Sequence, residues 1–131
     1  MERDGAVIVW TDGSCFKMQK WGNTIVRVGA GVFYGSQNPR NVALPVRGCR
    51  TSQSAELSAV LHVLRTEPRK VEIRTDSQYV VNGIEVYRHN WRKRVWYSRP
   101  SLAEYIPNAD LWYEVDRILE LGRRIPLQSN G

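Results

Sequence analysis

The chain has 131 residues, enough for one ordinary domain that buries a core without disulfide or metal staples. Its 42% hydrophobic and 24% charged residues exclude a disordered chain, and no apolar run approaches the ~18 residues of a membrane span, so no membrane partner is expected. Nineteen basic against thirteen acidic residues leave a net charge of +6, which points to a polyanionic partner, because clustered Lys and Arg gain affinity by releasing counterions from phosphates.

The first four residues carry both charge signs and read as neither a secretory nor a mitochondrial signal, so an intracellular location, nucleus or cytoplasm, is expected. The β-branched run Ala6-Val7-Ile8-Val9-Trp10 predicts a buried strand that gives out at Thr11-Asp12-Gly13-Ser14. Residues 16–23 read as an irregular polar stretch, 25–34 as a second strand and 41–47 as a weaker third, the last two forming an antiparallel hairpin. Thr51-Ser52 opens a helix whose Leu57, Val60, Leu61 and Leu64 fall at i, i+3, i+4 and i+7. Val71, Ile73 and Thr75 alternate with Glu72, Arg74 and Asp76, as in a half-buried strand. A second helix starts at Asp76-Ser77 and is expected to stop at Gly83. A basic segment covers residues 88–99. Asn108-Ala109-Asp110 is expected to cap a last helix ended by Gly122, and Ile125 and Leu127 could begin a last strand.

No repeat or linker divides residues 1–131, so a single domain is expected. The link from the third strand through a helix to the fourth is a crossover, which puts the fourth strand parallel to the first or a near neighbour. The fold class is therefore α/β, with an antiparallel part and parallel strands in one mixed sheet.

Two strand ends look alike, Thr11-Asp12-Gly13-Ser14 and Thr75-Asp76-Ser77. On adjacent parallel strands, ~4.8 Å apart, both aspartates would emerge at the same C-terminal edge, where open α/β sheets place ligands. Glu56 lies four residues before Val60, at the inner border of its helix, where a charge is costly unless paired or coordinated. Taken singly, Asp12 could be a turn residue, Asp76 an N-cap and Glu56 a border charge. Taken together they predict a site for Mg²⁺ or Mn²⁺, since three converging hard oxygen donors need a divalent cation between them.

These residues resemble a family. Thr11-Asp12-Gly13-Ser14-Cys15, Thr51-Ser52-Gln53-Ser54-Ala55-Glu56-Leu57, Thr75-Asp76-Ser77-Gln78-Tyr79-Val80, Asn82-Gly83-Ile84, His89-Asn90-Trp91-Arg92-Lys93-Arg94 and Asn108-Ala109-Asp110-Leu111-Trp112 are similar, in order, to type 1 ribonuclease H. The resemblance implies a ribonuclease H-like three-layer fold with helices on both faces of the sheet. It implies hydrolysis of the RNA strand of RNA–DNA hybrids with two metal ions, leaving 5′-phosphate and 3′-hydroxyl ends. Asp12, Glu56 and Asp76 would be the catalytic, metal-binding carboxylates, and no small-molecule cofactor is implied. Ser52 and Gln53 would read ribose 2′-hydroxyls, Ser52 in place of the usual asparagine. Ser54 stands where an arginine is common and reads as a surface change. Thr51 and Asn108, with Arg50 nearby, would bind a DNA phosphate. Tyr87 and Trp91 would line the DNA channel, with Arg92, Lys93, Arg94 and Trp96 on the same basic protrusion.

Against the family's usual length, the chain reads as C-terminally truncated: residues 123–131 reach only the start of the fifth strand, and no acid follows Glu120 to supply a fourth carboxylate. A second expectation is therefore a catalytically impaired domain that only binds hybrid or double-stranded RNA. Another nuclease of the same fold is a weaker third, disfavoured by the basic protrusion and the Ser52-Gln53 pair. Cys15 and Cys49 lack CxxC spacing and read as free structural thiols in a reducing compartment.

Overall fold

A computed structural model of the chain describes residues 2–3, 5–45, 51–99, 104–121 and 127–129. The elements run in the order β1 (Glu2–Arg3), β2 (Ala6–Lys20), β3 (Asn23–Phe33), β4 (Val42–Pro45), α1 (Ser52–Thr66), β5 (Val71–Thr75) and α2 (Gln78–Asn82). A π-helical turn (Gly83–Tyr87), α3 (Arg88–Lys93), β6 (Tyr97–Arg99), β7 (Glu104–Tyr105), α4 (Ala109–Glu120) and β8 (Leu127–Ser129) follow.

The main sheet has the order β4-β3-β2-β5-β8, with β1 paired to β2. β4, β3 and β2 are antiparallel, while β2–β5 and β5–β8 are parallel. The crossover through α1 thus lands β5 beside β2, with Val7 opposite Val71 and Thr11 opposite Thr75, as the sequence order predicts. The last strand is present as well, β8 pairing Leu127 with Ile73 and Ser129 with Thr75.

Alternation along the strands sends Val7, Val9, Val32, Val71 and Ile73 to one face. There they meet Leu57, Val60 and Leu64 of α1 and Trp112, Val115 and Leu119 of α4 in one buried cluster. Each Leu or Val so buried contributes about 1.5–3 kcal/mol, and that burial, rather than helix propensity, holds the short helices in place. The other face carries Trp10 and Phe33, with ring centres 6.1 Å apart, and Arg74, whose guanidinium lies 5.6 Å from the Trp10 ring.

Three expectations change. β2 does not give out at Asp12 but continues to Lys20, because each residue there pairs with β3, down to Lys20 opposite Asn23. Trp21 and Gly22 make the two-residue turn, both at positive φ (55° and 78°), the geometry that matches the twist of a tight hairpin. Cross-strand hydrogen bonding can therefore carry a polar strand that apolar periodicity does not reveal. Gly83 does not stop its helix. It is right-handed and buried, and a Cβ there would stand 2.1 Å from the Trp112 ring, so the missing side chain lets α4 approach while the chain runs on to Lys93. Asn108 does not cap α4 with its side chain. Its backbone is left-handed, and its amide donates to the Tyr79 hydroxyl at 3.2 Å.

Candidate nuclease site

The parallel register fixes the two aspartates. Thr11 and Thr75 are the last residues paired between β2 and β5, so Asp12 and Asp76 follow side by side where that parallel ladder ends, and both line one cleft of about 500 Å³. Asp12 takes the amide of Gly13 on its Oδ1 at 2.9 Å. Asp76 is not an N-cap. That role belongs to Ser77, whose Oγ accepts the Val80 amide at 3.1 Å and leaves the exposed Asp76 carboxylate outside the helix.

Glu56 is delivered by the first turns of α1. Thr51 caps the helix, accepting the Ser54 amide on its hydroxyl at 3.1 Å, while its own amide donates to Ser54 Oγ at 3.3 Å. Ser54 is thus not a surface change: it is 1% exposed and forms the return half of the capping box. Gly13 lets α1 dock at this point, for a Cβ on it would stand 2.2 Å from the Glu56 amide nitrogen. The strand that carries Asp12 and the turn that carries Glu56 are therefore in direct backbone contact.

Glu56 Oε2 is buried and has no hydrogen-bond partner among the described residues. Burial pushes its carboxyl above the ordinary range, Ser77 opposes this by hydrogen bonding, and the charges of Asp12 and Asp76 raise it further. Among the described residues no Lys or Arg pairs with any of the three acids, and no three acidic, His or Cys side chains are closed into a metal-ligand set. The orphaned oxygen, the mutual repulsion and the hard donors fit a divalent cation as the missing partner.

The other expected positions fall in three groups. Ser52 and Gln53 are exposed on the first turn of α1, on the same end of the helix as Glu56. Tyr87 is half-exposed and its ring centre lies 5.7 Å from Trp91, which in turn lies 5.3 Å from the buried Trp112. Lys93 and Arg94 are exposed at the end of α3. Trp96 departs from its expected place: it is 7% exposed, edge-on to Tyr113, and belongs to the core rather than to a binding face. Thr51 and Asn108 have side chains engaged within the fold, in the cap and with Tyr79, and Arg50 lies outside the described residues.

An antiparallel hairpin fused to a parallel strand pair, with three acids at the shared edge and a basic helix on the same chain, defines an α/β domain of the ribonuclease H-like class. The RNase H family model matches residues 4–128, and the chain belongs to that family. It is 31% identical to Ribonuclease H1 of Mus musculus over 119 residues, covering 88% of this chain and 40% of the relative. It is 32% identical to Ribonuclease H of Clostridium botulinum over 117 residues, 87% of this chain and 75% of the relative. The chain thus spans about 40% of the length of the mammalian relatives it matches. The fold is that of the PFV RNase H domain, with a TM-score of 0.68 at 20% identity over 94% of this chain and 77% of that one. It also matches the foamy viral protease-reverse transcriptase in complex with RNA/DNA hybrid, at a TM-score of 0.70 and 20% identity over 97% of this chain and 17% of that one. Among the described residues, no helix is long and apolar enough to cross a membrane.

Proposed function

We propose that this chain is a ribonuclease H domain that hydrolyses the RNA strand of RNA–DNA hybrids, with divalent cations, Mg²⁺ or Mn²⁺, held by Asp12, Glu56 and Asp76. The observation that carries the proposal is Glu56 Oε2, buried and unpartnered, on a carboxyl that feels the charges of Asp12 and Asp76, which line one cleft. When bound, a pair of such cations supplies charge neutralisation at the scissile phosphate and makes water nucleophilic at neutral pH.

The chain's own residues do the rest. Asp12 follows the end of the β2–β5 ladder and precedes Gly13, which packs on the Glu56 turn, so its carboxylate lies between the elements that carry the other two acids. Ser52 and Gln53, exposed one turn before Glu56, present hydroxyl and amide groups to a ribose 2′-hydroxyl, the group that separates RNA from DNA. Tyr87 and Trp91 offer ring faces to the DNA strand, and Lys93 and Arg94 offer charge to its phosphates. The products would carry 5′-phosphate and 3′-hydroxyl ends.

The test is cleavage of an end-labelled RNA–DNA hybrid, with RNA–RNA and DNA–DNA duplexes as controls, in Mg²⁺ or Mn²⁺. Metal-dependent cutting of the hybrid RNA is expected, with Asp12→Asn reducing the rate by about 10³-fold or more, the scale on which active-site electrostatic groups act. Equal rates in parent and variant would remove the carboxylate assignment. Hybrid binding without metal-dependent cutting would select a binding-only domain.

A further inference from the structure

The basic segment contains two kinds of cation. Arg88 has a side chain 11% exposed, and its Nη1 donates to Asp116 Oδ1 and to Glu120 Oε1, both at 2.7 Å. Arg92 forks onto the same carboxylate, Nε to Asp116 Oδ2 at 2.8 Å and Nη2 to Asp116 Oδ1 at 2.6 Å, and also reaches Glu120 Oε1 at 2.8 Å. Two guanidinium groups and two carboxylates cancel in this lattice. Asp116 is only 5% exposed. Withdrawing an arginine from it would strip charge-assisted hydrogen bonds from a buried anion, which is strongly unfavourable. Burial alone would raise the Asp116 carboxyl, but hydrogen bonds from Arg92 and Arg88 outweigh it and hold the group below its ordinary value. Lys93 and Arg94, by contrast, are exposed and carry no ion pair among the described residues.

We propose that Asp116 and Glu120 withdraw Arg88 and Arg92 from phosphate binding and make them positioning residues that lock α3 onto α4, leaving Lys93 and Arg94 as the cations of this helix that meet the nucleic acid. The inference rests on the hybrid-binding function proposed above. It revises the expectation that Arg92 touches the substrate: of four cations that look equivalent in sequence, two are already neutralised by the fold. Holding α3 against α4 also fixes the direction in which Trp91 and Tyr87 point, since both precede the forked Arg92 by less than two turns.

The experiment is the salt dependence of equilibrium binding to an RNA–DNA hybrid in EDTA, with the substrate checked for integrity. A phosphate-binding cation contributes about 0.9 to the slope of log K against log salt. Lys93→Gln and Arg94→Gln are each expected to make the slope shallower by about 0.9, and Arg92→Gln to leave it within about 0.2 of the parent. A second variant, Arg92→Met, provides the same test with an apolar side chain, while Arg88 still holds Asp116. It too is expected to keep the parental slope, with its folding confirmed by thermal melting. A slope shallower by about 0.9 in either Arg92 variant would overturn the inference while leaving the proposed function standing. A parent chain that binds no hybrid at all would overturn both.

Discussion

At the scale of single residues, two glycines and one valine show what local chemistry the tertiary contacts demand. Gly83 faces the fully buried Trp112 ring at a distance that leaves no room for a methyl group. Gly83→Ala is expected to cost about 1–3 kcal/mol in urea unfolding, the range for overpacking a core. Gly13 meets the Glu56 backbone itself, which cannot rotate away as a side chain can, so the same change there would push the carboxylate-bearing turn off the strand. Val95 lies at φ 50° and is 67% exposed. A β-branched side chain in the left-handed region is strained by about 1–2 kcal/mol. Val95→Gly removes that strain at some entropic cost and is expected to raise the melting temperature by a few degrees, corresponding to about 1 kcal/mol.

At the scale of elements, α1 is the part that joins stability to the site. Its N-terminus is set by the Thr51–Ser54 box, and Thr51→Ala is expected to lower stability by about 1 kcal/mol while shifting the Glu56 turn, so a loss of hybrid cleavage should accompany the loss in denaturant midpoint. Its C-terminus is set by Glu67, a carboxylate only 1% exposed that accepts from the Tyr34 hydroxyl at 2.9 Å, Arg69 Nε at 2.6 Å and Arg40 Nη1 at 3.3 Å. The Arg69 guanidinium foremost holds this carboxyl down at about 2, against the desolvation that would raise it. A depressed acid stabilises the fold above its unfolded value and loses that contribution as pH falls through the folded one. Stability should therefore drop by about 2–3 kcal/mol between pH 5 and pH 2 on account of Glu67, and Glu67→Gln should flatten that part of the pH–stability curve. Nothing in the apolar periodicity of the helix points to this residue, because its partners come from the chain just after β3, Tyr34 and Arg40, and from the chain past α1, Arg69.

At the scale of the whole molecule, like charges are gathered at the cost of stability. Two carboxylates, Asp12 and Asp76, line one cleft, and their charges reach a third, Glu56, which has a buried orphan oxygen. Asp12→Asn and Asp76→Asn should each leave the metal-free protein equally or more stable, by up to about 1 kcal/mol, while abolishing cleavage. Added Mg²⁺ should raise the melting temperature of the parent and not of these variants, since a ligand stabilises only the form that binds it. A parent melting temperature indifferent to Mg²⁺ and Mn²⁺ would count against the carboxylates as the cation site.

Much of this was legible along the chain. The apolar run of β2, the eight-residue stripe of α1 and the alternation of β5 identify their elements because each sends a row of apolar side chains to the same core. The echo between Asp12 and Asp76 survives because a parallel register repeats its chemistry at the same edge. What only the tertiary structure decided concerns residues whose state is set by partners far away in sequence. Arg88 and Arg92 look like free cations until α4 brings Asp116 and Glu120 to them across more than twenty residues. Trp96 looks like a ring for stacking until the core closes over it, and the second half of β2 looks like a loop until β3 supplies its hydrogen bonds. A residue's type and spacing determine what it can do. Whether its charge or ring remains available is a matter of what the fold has already placed against it.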